Sequence, residues 1–143
     1  MKVNKLLVPV SGSSADRQAL ELACSSAKRN KAKVYAIYVI RVKRTLPLDA
    51  EMQSEVQKGE EVLDAAERIV AEADYSVETE ILQAREVGPA IVDDAAERAI
   101  DVIVMGVPYK KEFGEYTLGK TTMHVLKHAP CWVWICREPA GGS

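Results

Sequence analysis

Cysteine and histidine, from which disulfide frameworks, metal centres and general bases are most often built, are scarce in this chain, at three and two residues. Cys24, Cys131 and Cys136 are too few, and odd in number, for a disulfide framework. Cys131 and Cys136 stand five apart, so on one strand they face opposite ways, and reduced thiols in a cytoplasmic protein are the simplest reading. His124 and His128 have the four-residue spacing that can hold zinc on a helix, but no glutamate completes a His-Glu-x-x-His pattern. Helix capping and packing is the better account, and no metal ligand is assigned. A long apolar run is also missing. Nothing approaches the roughly 20 residues of a membrane helix, so no membrane insertion is expected, and the apolar start at Leu6–Val8 reads as a first strand rather than a signal peptide. A net charge of −2 supplies no basic field, so no nucleic-acid partner is expected. Strong catalysis is not expected either. No G-x-S-x-G elbow exists, Ser11, Ser13 and Ser14 read as turn residues, and Asp93 and Asp94 are adjacent on a helix and expected to be solvated.

What is present is a globular composition, 48% hydrophobic, in which short apolar runs alternate with helical stretches. Asn4–Val10, Val34–Ile40 and Asp101–Gly106 read as buried strands, apolar on both faces as in the middle of a parallel sheet. Ser76–Leu82 sets Val77, Thr79 and Ile81 against Glu78 and Glu80, the pattern of an edge strand. Cys131–Arg137 is the last strand. Between them, Ser13–Arg29 forms a helix that buries Leu20, Ala23, Cys24 and Ala27, opened by a capping box of Ser13 and Asp16. A linker holding Arg41, Lys43, Arg44 and Pro47 leads to the longest helix, Ala50–Ala73, with one apolar stripe. Gly88-Pro89 opens a third helix that turns Ile91, Ala95 and Ala99 to one face. A loop at Val107–Tyr116 precedes a helix from Thr117 to His128, where Pro130 stops it. The order is βαβαβαβαβ. It predicts an α/β, flavodoxin-like, doubly wound three-layer sandwich, with a five-stranded parallel sheet in the order 3-2-1-4-5. Residues 1–138 are expected to form one domain and 139–143 a flexible tail. Ligands in such sheets bind where the strand order reverses, at Val10-Ser11-Gly12 and from Gly106 onward.

Three segments together resemble the universal stress protein family: LLVPVSGSSADRQALELA, VGPAIVDDAAERAIDVIVMG, and LGKTTMHVLKHAPCWVWI with its His128–Cys131 junction. The resemblance covers nearly the whole chain. It implies a homodimer joined through the last strand, a role in stress or signalling adaptation, and ATP (with magnesium) or AMP as ligand. Nucleotide-binding members carry G-x2-G-x9-G-[ST] after the fourth strand and an aspartate at the end of the first. Here Gly106 and Gly119 match, Tyr109 holds the middle glycine position, Lys120 the serine or threonine position, and Ser11 the aspartate position. Thr121 and Thr122 stand where the family supplies further polar contacts to phosphate and ribose. The resemblance therefore implies a nucleotide site of Val10, Ser11, Gly106, Tyr109, Gly119, Lys120, Thr121 and Thr122, with the backbone at Val39 and Ile40 flanking an adenine. Tyr109 brings a bulky Cβ and ring where amides approach phosphate, and Ser11 offers no carboxylate.

Gly114–Thr121 also matches the phosphate-loop pattern G-x4-G-K-[ST], but seven residues separate Gly106 from Gly114 where that motif runs strand directly into glycine. An anion-binding turn near Lys120 is the better reading, with a phosphate-loop NTPase kept as a third alternative. The second is a nucleotide-free dimeric interaction module, part of a transporter or sensor system. Trp132 and Trp134, alternating with Val133 and Ile135 on a predicted edge strand, mark the dimer interface in either case.

Overall fold

Leu6, Leu7 and Val8 have no exposed surface, so the first strand must be covered on both faces and both edges. The computed structural model, which describes residues 2–109, 111–112, 115–116 and 118–141, does this with a five-stranded parallel sheet. Its strands are β1 (Lys5–Pro9), β2 (Lys33–Arg41), β3 (Glu78–Ala84), β4 (Val102–Val107) and, after a short ribbon described next, β7 (Trp132–Arg137). The predicted loop after β4 holds a two-stranded antiparallel ribbon, β5 (Lys111–Glu112) and β6 (Glu115–Tyr116). The sheet order is β3-β2-β1-β4-β7, as the alternation of polar and apolar strands predicts. Gly114 of the phosphate-loop match, Thr117 at the expected start of the last helix, and tail residues 142–143 lie outside the described residues.

The helices are α1 (Asp16–Asn30), α2 (Gln53–Glu72), α3 (Val87–Glu97) and α4 (Lys120–His128). On one face α1 lays Ala19, Leu20, Ala23, Cys24 and Ala27 against Leu6, Val8, Val34 and Val104, and α2 adds Leu63, Ala66 and Val70. On the other, Ile91 and Ala95 of α3 and Val125 of α4 cover Leu7, Ile37, Ile103 and Met105. Each fully buried Leu, Ile or Val side chain contributes about 1.5–3 kcal/mol, so these two layers supply most of the driving force. Trp134 and Cys136 point to the α1 side, Val133 and Ile135 to the α3–α4 side. No residue of β7 is fully buried, although every residue of its neighbour β4 except Gly106 is.

Three helix ends share one geometry that the sequence does not advertise. Lys31, Asp74 and Ala99, all with left-handed φ of 54–58°, follow α1, α2 and α3. The next residue's amide then reaches back to the helix: Ala32 to Ala27, Tyr75 to Val70 and Ile100 to Ala95 carbonyls, at 2.9–3.1 Å. This is the Schellman arrangement, normally closed by glycine. Ala99 therefore lies beyond α3, not on its apolar face, and Pro89 is the third helical residue, not the first. Asp94 corrects a further expectation. It is 6% exposed rather than solvated, because Arg98 one turn on donates from Nε at 2.8 Å while also pairing with Glu80. The Arg98 guanidinium lies over the Tyr35 ring at 4.8 Å, tying α3 to the sheet.

Ala99 is exposed, so Ala99→Gly removes no packing and relieves the left-handed backbone. It is expected to stabilise the fold by about 1 kcal/mol, the left-handed penalty less the added entropy of glycine in the unfolded chain. Urea unfolding at constant m-value measures it.

Candidate functional site

β1 pairs with β2 through five residues but with β4 through two, Leu6 with Val102 and Leu7 with Ile103. Beyond Leu7 the strands part, while β4 continues against β7 to Val107. This is the point where the strand order reverses, and helices leaving to opposite faces cannot fill the gap. The result is a cleft of about 430 Å³ at the carboxyl ends of β1, β2 and β4, capped by the start of α4.

The turn after β1 is held from inside. The Asp16 carboxylate accepts mainly from the amides of Gly12 at 2.8 Å and Ser11 at 3.3 Å, with lesser support from Ser13, so the expected Ser13–Asp16 pairing is one part of a wider turn. The reason is the position of the helix start: α1 opens at Asp16, after Ala15, so the carboxylate faces back along the turn. Burial pushes the Asp16 carboxyl above 3.8, opposed by those same amide hydrogen bonds. Gly106 faces this turn across the mouth of the cleft. A Cβ there would stand 2.3 Å from the Ala15 carbonyl oxygen, so only glycine lets the two halves of the sheet close on each other.

At the far wall, Gly119 has φ +85°, and a Cβ on it would touch nothing. The first helical bond of α4 runs from Met123 N to Gly119 O, so the amides of Lys120, Thr121 and Thr122 have no acceptor within the helix. Thr122 lines the cleft, is 7% exposed, and its hydroxyl has no hydrogen-bond partner among the described residues. A buried hydroxyl left in this way costs free energy until a ligand or water pairs with it.

Seven of the ten residues expected in a nucleotide site line this cleft: Val10, Ser11, Val39, Gly106, Gly119, Thr121 and Thr122. Three do not. Ile40 is 1% exposed and packs in the α1–α2 layer, because β2 alternates and Val39 takes the cleft side. Tyr109 turns its ring to the end of β7, with the Arg137 guanidinium 5.2 Å from the ring centre, so it leaves the cleft open. Lys120 points outward, its side chain 89% exposed and its Nζ 3.9 Å from Glu86. Missed from the sequence were the apolar walls, Ile37, Tyr38, Val87, Ile91, Met105 and Leu118. Val87, immediately before Gly88-Pro89 at the start of α3, was the one with a local signal. The His124 and His128 rings meet with centres 4.5 Å apart and planes tilted by 40°. The three cysteines are unbridged, and among the described residues no helix is long and apolar enough to cross a membrane.

With this geometry in hand, the sequence model of the universal stress protein family matches residues 2–137, and the chain belongs to that family. Among curated relatives, universal stress protein MJ0531 of Methanocaldococcus jannaschii is 31% identical over 141 residues, which span 94% of this chain and 82% of that protein. Two solved structures share the fold. The universal stress protein of Archaeoglobus fulgidus in complex with dAMP superposes with a TM-score of 0.76 at 20% identity, over 94% of this chain and 98% of that one. A family member from Arabidopsis thaliana with AMP bound gives 0.67 at 17% identity, over 96% and 93%.

Two substitutions test the turn at the cleft's mouth. Gly106→Ala drives a methyl group into a backbone carbonyl and is expected to destabilise by about 1–3 kcal/mol, read from urea midpoints. Asp16→Asn keeps an acceptor and removes the half-buried charge. The stability that Asp16 contributes through its raised pKa is full below 3.8 and is lost as pH rises through the folded value. Asp16→Asn is therefore expected to gain on the wild type between pH 4 and pH 7, in urea midpoints measured at both.

Proposed function

We propose that this chain is a regulatory domain that binds an adenine nucleotide in the cleft between β1 and β4 and works as a cytoplasmic homodimer. The carrying observation is the opening turn of α4, whose first three amides have no acceptor within the helix and whose Thr121 and buried Thr122 line a cleft with largely apolar walls. Such a turn suits a phosphate, and apolar walls suit the faces of a base. Bound dAMP and AMP in the two family structures support the same reading. In it, Val10, Ser11, Val39, Gly106, Gly119, Thr121 and Thr122 form the site, with Lys120 contributing its amide rather than its ammonium inside the cleft. Among the described residues that line the cleft there is no general base and no nucleophile beyond hydroxyls, which supports a domain that reports nucleotide occupancy with at most slow turnover.

The dimer would form by antiparallel pairing of β7 with its counterpart. Trp132 is 63% exposed on this edge strand and is the natural anchor. A nucleotide-free interaction module is the second reading, favoured by Ser11, which puts no carboxylate at the end of β1.

Thermal unfolding with AMP, ADP, ATP and cyclic AMP separates the two. A nucleotide at a hundred times its Kd adds about 2.7 kcal/mol, a rise of several degrees in a domain of this size. Thr122→Val is expected to abolish that rise while the unliganded protein still folds. No rise with any nucleotide at millimolar concentration would leave the interaction module. In sedimentation, Trp132→Asp is expected to convert dimer to monomer; a monomeric wild type would remove the β7 interface.

A further inference from the structure

Past Leu7 and Ile103 the ladder between β1 and β4 stops, so other contacts must fix how far apart the two halves of the sheet stand at the cleft's mouth. One is a steric stop, Gly106 against the Ala15 carbonyl. Another is a bond. Ser14, in the turn after β1, donates its hydroxyl to Glu138, just past β7, with 2.7 Å between Oγ and Oε2. Glu138 is itself fixed to the β4 side, since its amide donates to the Val107 carbonyl at 2.9 Å. Arg137, the residue before it, lies over the Tyr109 ring on the loop after β4. The end of β7 therefore touches both lips of the cleft, although neither Ser14 nor Glu138 lines it.

We infer that the Ser14–Glu138 bond is a latch that sets the width of the cleft's mouth, with Glu138 as a positioning residue for whatever the cleft binds. A carboxylate accepting from a hydroxyl at this distance belongs to the charge-assisted class of hydrogen bond. Helix α1 has no side-chain cap at Ala15, so the Glu138 carboxylate also brings negative charge to that helix's positive end. The turn it holds moves as one piece, because Asp16 grips the amides of Ser11 and Gly12. One bond at Ser14 thus places the whole turn, including Val10 and Ser11 of the cleft wall. Ser14 is exposed and Glu138 half-buried, so water competes for both and the latch opens and closes instead of locking. Its hold on the turn is independent of the ligand; only its effect on nucleotide affinity rests on the adenine-nucleotide reading.

The test is amide hydrogen exchange, read residue by residue, on wild type, Ser14→Ala, Glu138→Ala and the two together. Ser14→Thr and Glu138→Gln keep a donor and an acceptor and serve as the conservative pair. Neither side chain is in the core, so the variants are expected to fold. Loss of the Ser14 hydroxyl is expected to speed exchange about three- to tenfold across the gap, at the Glu138 amide, the worth of one hydrogen bond. Loss of the Glu138 carboxylate is expected to do the same at the Ser11 and Gly12 amides. The double variant is expected to add nothing to either single one, since both remove the same contact, and the conservative pair to stay near wild type. Titration with AMP gives the second readout: Ser14→Ala is expected to raise its Kd about three- to tenfold. Faster exchange only on the mutated side of the gap, a rise shared equally by the amides of β2, or AMP held as tightly without the bond each overturns the latch and leaves the nucleotide reading standing. Failure of AMP to bind the wild type removes the nucleotide reading instead, and exchange across the gap alone then decides the latch.

Discussion

Only two residue pairs join β1 to β4, and the site exists because that ladder stops. The sheet is continuous at its amino end, where Asp101 of the β4 approach accepts from the amides of Asn4 and Lys5 at 2.7 and 3.0 Å. At its carboxyl end it divides into a β3-β2-β1 half and a β4-β7 half. Each half keeps its own long ladder, β1 to β2 and β4 to β7, so the split costs few hydrogen bonds. The chain leaves β1 for one face and β4 for the other, and no helix can follow into the gap. A crevice there is a consequence of strand order, not of any particular side chain.

Backbone positions then give the crevice its shape. Asp16 ties the Ser11–Gly12 amides into the turn, and the absent Cβ of Gly106 lets β4 come to rest against Ala15. Gly119 takes a conformation that L residues rarely adopt and so aims the first turn of α4 inward. These three residues do not act on a ligand through their own side chains. They place amides and carbonyls at the mouth of the cleft.

Sheet order was readable because burial on two faces and burial on one leave different sequence patterns. VYAIYVI and DVIVMG admit no solvent face, while Val77, Thr79 and Ile81 against Glu78 and Glu80 admit one. The ends of α1, α2 and α4 were readable to within a residue, but the left-handed closures were not, since Lys31, Asp74 and Ala99 do the work usually marked by glycine. The burial of Asp94 had a signal, an arginine four residues on, but a pair at that spacing is equally common on exposed helices. In the site, the positions of Gly106, Gly119, Thr121 and Thr122 followed from the family frame. The directions of Tyr109 and Lys120 did not, because they depend on Arg137 and Glu86, which lie far away in the sequence or on another helix.

That distinction bears on what departures from the family pattern mean. A glycine replaced by Tyr109 looks prohibitive if the ring must occupy the phosphate's place, yet the ring turns toward Arg137 and the cleft keeps its volume. Lys120 in place of serine or threonine removes one hydroxyl and keeps the amide, while Thr121 and Thr122 still bring hydroxyls to the wall. Ser11 is different: among the described residues no neighbouring carboxylate enters the cleft in its stead, since Asp16 is spent on the turn. The physical content of the family motif is thus unevenly preserved. The elements that suit phosphate are backbone in origin and survive substitution; the one that would add a charge to the base and sugar end was a side chain, and it is gone. Among the described residues the cleft lining carries no charge, so what it offers a ligand is shape, hydroxyls and amides.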